Sequence, residues 1–512
     1  MKWLLASRTL EIFREDPLLL GLFCLLWCSA AAPLWVTPFL PLVDLGSNIG
    51  ATGLLVEAAL RQGVVGEYYF MNVAIVPYWT TYVLMALLEQ SLGAMLAAKI
   101  IVAGALLIIP FSMTRLLAAL GRDPRLGLLG FVFSWDTNLY WGWISFQYGM
   151  ALALYILARL YEAQSLRSAL RIVPLTLLLA VTHVHAVVLT LCAGGLMALV
   201  KRPVLRGIVT HGVGLSGCLL GIVPWLFKRY SGSEPLGATA FEWHSADDKL
   251  SKLFEFSLDN QPDARDFAFA AFVLLLATPL IARALPPRVH HWRPTLAALA
   301  ILLAAAGLYF GLPFAMWGPI SHWWTYPRYA TYVLIGLLLL APADVRRRRL
   351  WAIAPALLSI LAVHSAVFRQ FESYGAYVAP YAEIIESMPR GVRFLPLDCN
   401  DHRFRGTRHA ALGQLHGYVA AVKDSYDPHL FDEPNNPLRY RARRMLPVPN
   451  WFQQLQSFTF EEHGRYYDYI IVHPTELDPF ARRDAWRKEV NLVKQAGPWR
   501  LYKVKNPVAP GM

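Results

Sequence analysis

The stretch "DPLLLGLFCLLWCSAAAPLWVTPFLPLV", residues 16–43, followed by "DLGSNIG", residues 44–50, decides the fold class. Between Asp16 and Asp44 there is no charged side chain. An apolar run of that length matches the hydrocarbon thickness of a bilayer. Inside hydrocarbon every backbone polar group needs an internal partner, so the run reads as a membrane-spanning helix. Asp44 then stands where the first span ends, an expensive place for a carboxylate unless it has work to do.

The rest of the chain agrees. Of 512 residues, 56% are hydrophobic and 16% are charged, with a mean hydropathy of +0.39. A soluble domain carries about 25% charged residues. Further runs such as "YATYVLIGLLLLAPA" extend the pattern, so the fold class expected is a polytopic α-helical membrane protein. Trp and Tyr gather at the ends of the runs, as interfacial belts do. The net charge of +12 falls in short clusters between apolar runs. The positive-inside rule accounts for those clusters, no basic-aromatic surface for nucleic acid is visible, and the bilayer is the expected partner. Cys24, Cys28, Cys192 and Cys218 sit inside apolar runs, and Cys399 is alone in the polar tail; neither a disulfide framework nor a structural metal is expected. The N-terminus has the look of a signal peptide, but the apolar run continues to Val43, which favours an uncleaved first span.

Six basic clusters set the topology: Lys2/Arg8/Arg14, Arg115/Arg122/Arg125, Arg159/Arg167/Arg171, Lys201/Arg202/Arg206, Arg283/Arg288/Arg293 and Arg346 to Arg349. Placing all of them in the cytoplasm puts the N-terminus inside. The spans are then expected at 17–40, 95–114, 126–143, 148–164, 171–182, 185–200, 207–227, 267–284, 294–311, 328–344 and 350–367, about eleven in all. Residues 73–92 are long enough to cross, but counting them would invert every later loop. Pro77 and the aromatic residues Tyr78, Trp79 and Tyr82 suit a helix lying on the membrane surface instead. Residues 41–94 become one outer loop with two surface helices, 51–63 and 76–92. The domain division expected is 1–367 in the membrane and 368–512 as a small extracytoplasmic α/β or α+β domain. Its strands are "VRFLPLD", "YDYIIVH" and "WRLYKV", with a helix-like stretch at 478–497. No internal repeat is visible.

This topology brings polar residues to one depth, at the outer face. Asp44 and Asn48 follow the first span. Asp136 and Asn138 lie beside "LYWGWISFQYG". His183 and His185 occupy a turn, His244 lies in "FEWHSADDK", and "WGPISHWWTYPRY" contributes His322, Tyr326 and Arg328. Each has an ordinary explanation. Asp44 suits a helix N-cap, the two histidines suit backbone bonding at a tight turn and lack further metal ligands, and Arg328 suits snorkelling to headgroups. Asp136 suits a pairing with a neighbouring loop. Together they suit chemistry on a lipid-linked phosphate. A base is needed near an acceptor hydroxyl, and a planar guanidinium suits a departing phosphate.

The layout resembles the GT-C class of membrane glycosyltransferases. "PLVDLGSN" occupies the position of that class's acidic motif, "TRLLAALGRDPRLGLLG" looks like the cytoplasmic turn after its second span, and "YDYIIVHP…GPWRLYKV" is similar to the closing strands of outer domains in bacterial members. The resemblance implies a sugar transferred with inversion from a polyprenyl-phosphate donor, at the outer face of the bacterial inner membrane, with Asp44 as catalytic base. Arg328, with His183, His185 and Tyr326, would bind the donor phosphate. Asn48, Asp136, Asn138, His322 and His244 would form the acceptor side or a secondary polar shell. Class members often pair two acidic residues, whereas Leu45 follows Asp44 here and Glu57 and Glu67 lie further along. The cofactor is therefore unknown, with a divalent cation left open, and the sugar and acceptor are unassigned. The other readings are a non-catalytic GT-C-like protein of envelope polysaccharide assembly and a transporter or flippase. The latter is disfavoured because its polar residues belong near the midplane.

Overall fold

The computed structural model describes residues 8–73, 77–230, 240–260, 262–283, 292–317, 322–341, 353–398, 404, 407–432, 436–442 and 445–508. Lys2, Arg288, the run Arg346 to Arg349 and Cys399 lie outside these. Helix α1 (Pro17–Ala31) opens on Asp16, whose carboxylate accepts from the Leu19 amide at 3.1 Å, with Pro17 pre-set at the first helical position. A 3-10 turn, Ala32–Trp35, finishes it. The regular structure ends at Trp35 rather than at the expected residue 40, because Pro33, Pro38 and Pro41 withdraw amide donors in quick succession.

After Asp44 the chain turns into α2 (Leu45–Gly53), continued by Leu55–Leu60, then α3 (Trp79–Leu92). The first of these begins at Leu45, six residues before the expected start at 51. Helix α4 (Ala94–Ala119) follows directly. The expected span 126–143 is not a continuous helix. Asp123 caps the Arg125 amide, Pro124 follows, and Pro124–Phe133 forms a 3-10 segment laid on α4. At about 2 Å rise per residue it covers roughly 20 Å, too little to cross the hydrocarbon alone.

Helices α5 (Ile144–Glu162), α6 (Val173–Thr182), α7 (Val184–Val200), α8 (Val204–Tyr230), α9 (Arg265–Arg283), α10 (Trp292–Gly311), α11 (Ala330–Leu339) and α12 (Ala354–Val378) occupy the other expected positions. Among the described residues five helices are by themselves long and apolar enough to cross a bilayer: Pro17–Trp35, Ala94–Ala119, Val204–Phe227, Trp292–Gly311 and Ala354–Ser387. They pack as pairs, α4 on α5, α6 and α7 on α8, α7 on α10, α10 on α11 and α9 on α12. Leu220, Val223 and Phe227 on α8 point outward as an exposed apolar stripe, the face a lipid-bathed helix presents. The chain is a membrane protein.

Helix α12 runs unbroken across residue 368, so the tail grows out of a helix rather than a linker. Its sheet has strands β1 (Phe394–Asp398), β2 (Tyr469–His473), β3 (Val490–Ala496) and β4 (Trp499–Val504), in the order β1-β2-β4-β3. β1 and β2 are parallel; β2/β4 and β4/β3 are antiparallel. Residues 478–497, expected to be helical, instead give two four-residue turns, Pro479–Arg482 and Asp484–Arg487, and the edge strand β3. Pairing to β4 satisfies the β3 backbone, which outweighs the helical propensity of its Leu, Lys and Gln.

The tail docks on the segment that follows Asp44. Helix α13 (His416–Lys423) lies across α2 with backbones touching: a Cβ on Gly46 would come 1.9 Å from the Gln414 carbonyl oxygen, and one on Gly417 would come 2.0 Å from the Gly46 oxygen. Strand Tyr69–Met71 pairs antiparallel with Leu438–Tyr440, Tyr69 opposite Tyr440. Both phenols donate to the Asp427 carbonyl at 2.6 Å.

Candidate active site

The backbone places Asp44 before any side chain does. The Val43 and Asp44 amides donate to the carbonyls of Tyr140 and Trp141, each at 3.0 Å, so the end of the first span is zipped to the turn 140–143. Gly142 makes this possible. Its φ is +76°, and a Cβ there would come within 2.8 Å of the Asp44 nitrogen. Asp44 occupies the N-cap position of α2, yet its side chain makes no capping bond. Its Oδ2 instead accepts from the Trp143 indole at 2.9 Å.

Trp143 also carries Arg328. The guanidinium carbon lies 3.4 Å from the centre of the Trp143 ring, and Nε donates to the Trp324 carbonyl at 3.2 Å. Trp141 stacks on Trp143 with centroids 5.6 Å apart and packs against Trp323 and Trp324. The indole nitrogens of Trp141 and Trp324 are buried and have no acceptor among the described residues. Two unpartnered donors thus belong to rings that pack on Trp143, the indole that carries the guanidinium, and each costs free energy until an acceptor arrives. Arg328 is held by an aromatic face rather than stretched toward headgroups.

The histidines extend the cluster. His183 caps α7, its Nδ1 accepting from the His185 amide at 3.2 Å. His183 and His185 have ring centres 5.4 Å apart, and His185 and His322 5.3 Å. Burial, then the charges of Arg328 and His322, holds the His183 imidazole well below its ordinary value, so it stays neutral. The His185 carbonyl accepts from Tyr329, one residue beyond Arg328.

Asp136 and Asn138 lie beneath this layer. Asp136 is fully buried and accepts from the Leu139 amide (2.9 Å), Asn138 (2.9 Å), Thr331 (2.7 Å) and Gln147. Four donors saturate the carboxylate and fix the turn that presents Trp141 and Trp143. Asn48 braces the same turn from the other side, donating to the Gly142 carbonyl at 3.4 Å while accepting from Tyr82 at 2.7 Å. His244 and Tyr326 form a second group: Nδ1 and the phenol oxygen are 2.9 Å apart, and His244 stacks on Phe314. Burial, then the carboxylates of Asp248, Glu255 and Glu242, keeps the Tyr326 phenol protonated. Asp44 and Arg328 meet through Trp143; His183, His185 and His322 pack on one another, with the Arg328 charge acting on His183; and Tyr326 turns toward His244.

Four participants escaped the sequence reading. Trp143 was taken as interfacial belt. Lys249 is buried, donates to the Phe310 and Leu312 carbonyls at 2.9 and 2.7 Å at the end of α10, and lies 4.4 Å from the Tyr326 ring centre. His409 reaches from the tail to stack on Tyr140, with Nε2 3.1 Å from Asn260 Oδ1; burial, then the Arg408 charge, pushes it down to about 4. Glu89 on α3 is buried, accepts from Thr52 at 2.6 Å, and has a second oxygen without a partner among the described residues; burial pushes its carboxyl up to about 8. Among the described residues no group of three or more His, Cys, Asp or Glu is arranged to hold a metal ion.

No protein-family model matches the sequence, and no curated protein matches it. Solved structures do. The crystal structure of ArnT from Cupriavidus metallidurans in the apo state superposes with a TM-score of 0.51 at 12% identity, covering 97% of this chain and 98% of that one. The same protein bound to undecaprenyl phosphate gives a TM-score of 0.49 at 12% identity, covering 98% and 100%. The likeness covers nearly the whole of both chains and is one of fold.

Proposed function

We propose that this chain transfers a sugar, with inversion, from a polyprenyl-phosphate donor to an acceptor at the outer face of the inner membrane, with the N-terminus cytoplasmic and the tail outside. The observation that carries the reading is the arrangement of Asp44. It stands at a helix N-terminus without capping it, and one indole holds it while the same indole holds a guanidinium.

The acceptor hydroxyl gives its proton to Asp44 as its oxygen attacks the anomeric carbon, and the bond to the lipid phosphate breaks on the opposite side. Negative charge develops on that phosphate. Arg328 receives it, with the unpartnered indole donors of Trp141 and Trp324 beside it. Neutral His183 contributes a hydrogen bond rather than charge, with His185 packed beside it. Asn48, Asp136 and Asn138 position the Trp141–Trp143 turn; His322 packs behind His185, and His244 holds Tyr326 on the acceptor side. The GT-C fold supports the reading as analogy at the level of architecture.

The test is transfer of radiolabelled sugars from undecaprenyl phosphate in proteoliposomes, with a cell-envelope extract as acceptor. Asp44→Asn lowers kcat by about 10²- to 10⁴-fold, the range of a general base. Arg328→Lys keeps the charge but loses the planar fork and the stacking, and lowers kcat as well. Full transfer by Asp44→Asn refutes the assignment.

A further inference from the structure

The end of the bundle far from Asp44 holds a second concave site. Helix α5 starts one residue after Trp143 and runs about 28 Å to Glu162, while α10 ends at Gly311 beside Lys249. Tyr161 and Trp292 therefore lie together at the opposite end from Asp44. Between them opens a cavity of about 360 Å³, lined among the described residues by Tyr161, Trp292, Arg293 and Pro294. At its edge Arg122, in the turn after α4, donates to the Thr295 hydroxyl at 2.7 Å and ties the end of α4 to the start of α10. The charges of Arg122 and Arg293 both act on Tyr161, so two guanidiniums converge on one wall.

What these cations lack is an anion. The neighbouring carboxylates are paired with other arginines, Glu162 with Arg115 and Arg159, and Asp123 with Arg125. Neither Arg122 nor Arg293 has an ion-pair partner among the described residues, and the preceding stretch "ALPPRVHH", residues 284–291, contains no acidic residue. Arg122 Nε is buried and has no hydrogen-bond acceptor among the described residues. Burial, opposed by the Tyr161 phenol, lowers its guanidinium from the ordinary value, the mark of a cation short of counter-charge. A snorkelling arginine hydrates its N–H groups, whereas a buried donor costs free energy until an acceptor arrives. Arg293 is exposed and lies over the Trp292 ring, its guanidinium carbon 5.3 Å from the centre.

Helix α10 supplies the other half of the recognition. Trp292, Leu296, Leu303 and Phe310 fall on one face of it, and all four are exposed. That apolar stripe runs from the cavity along the helix into the hydrocarbon. A ligand with a phosphate in the cavity and acyl chains on the stripe meets both demands, and a free phosphate meets one. A choline or ethanolamine head would set an ammonium beside two guanidiniums, so the head that fits carries no cation. Tyr161 and Trp292 suit the headgroup level, and basic pockets between spanning helices hold acidic headgroups.

We infer that this cavity binds the phosphate of an anionic phospholipid in the leaflet opposite Asp44, with Arg122 and Arg293 as its clamp. The site stands apart from the glycosyl-transfer reading, and neither depends on the other. The experiment is native mass spectrometry of the full chain in detergent, titrated with phosphatidylglycerol and with phosphatidylcholine of the same acyl chains, each repeated in millimolar sodium phosphate. Phosphatidylglycerol binds about tenfold more tightly, the margin of one charge-assisted hydrogen bond. Arg122→Gln with Arg293→Gln abolishes that preference. Arg167→Gln with Arg206→Gln, which removes the same charge from exposed positions, preserves it. Arg293 is exposed, so Arg293→Gln alone stands in if the double variant does not fold, and it lowers the preference severalfold. Equal affinity for the two lipids overturns the site, as does a preference that survives Arg122→Gln with Arg293→Gln or falls equally in both double variants. Displacement of phosphatidylglycerol by millimolar phosphate gives the clamp to a soluble phosphate and overturns the lipid assignment.

Discussion

Trp143→Phe separates the two jobs of one side chain. Phenylalanine keeps an aromatic face beneath Arg328, so the cation–π contact, worth about 0.5–2 kcal/mol, largely survives. What disappears is the indole N–H that Asp44 Oδ2 accepts at 2.9 Å. A hydrogen bond to a charged group contributes about 1.5–3 kcal/mol, and it favours the ionised carboxylate. At about 1.4 kcal/mol per pH unit, losing it makes the carboxylate harder to ionise by about one to two units. A general base works only when ionised, so the acidic limb of kcat/KM against pH moves upward by that amount. Activity returns at alkaline pH, and the KM for the lipid-linked donor changes little. Trp143→Leu removes the face as well, and there the donor KM rises in addition. The assay is the proteoliposome transfer measured from acid to alkaline pH for the three proteins. If Trp143→Phe lowers the rate by the same factor at every pH, the indole is packing alone and the coupling of Asp44 to Arg328 through it is wrong.

Three further outcomes follow from the geometry. Glu89 binds a proton up to about pH 8 in the folded protein, against 4.5 in the reference state, so the folded state loses stability as pH rises through that window. Glu89→Gln keeps an acceptor for Thr52 and removes the titration; its gain in Tm is larger at pH 8 than at pH 5, and equal gains at both would show that the carboxyl is already charged. Gly417→Ala drives a Cβ to 2.0 Å from the Gly46 oxygen and costs about 1–3 kcal/mol of overpacking, seen as a lower Tm and faster proteolysis of the tail. Gly46→Ala opens the same gap, so the double variant loses less than the sum of the two, whereas full additivity would mean the helices do not share one seam.

What the sequence disclosed was whatever a local pattern can carry. Asp44 is legible because it ends a charge-free run, and helices α4 to α10 because length and hydropathy are properties of consecutive residues. The failures share a physical cause. Trp143 meets Asp44 across 99 positions, and Asp398 meets His473 across 75, so neither pair leaves a local trace. The 3-10 segment at Pro124–Phe133 has the hydropathy of a span, and its geometry is set by contact with α4, which hydropathy does not encode. β3 has helix-favouring residues and becomes a strand because β4 is there to pair with. Asp136 and Arg328 look alike in the sequence as polar residues beside apolar runs; only the side-chain bonds distinguish a carboxylate saturated by four donors from a guanidinium seated on an indole.

The strand pair between Tyr69–Met71 and Leu438–Tyr440 also sets a schedule. During synthesis the first strand is made 371 residues before its partner, Tyr69 to Tyr440. At ribosomal speeds of about 5–20 residues per second that is roughly 20 to 75 seconds. Through that interval the edge of Tyr69–Met71 and the glycine face of α2 lack the tail that covers them in the finished protein. A nascent chain stalled before residue 438 therefore carries a membrane bundle with an open strand edge, the kind of surface that quality-control chaperones and proteases bind, and commitment to the mature state waits for Leu438–Tyr440.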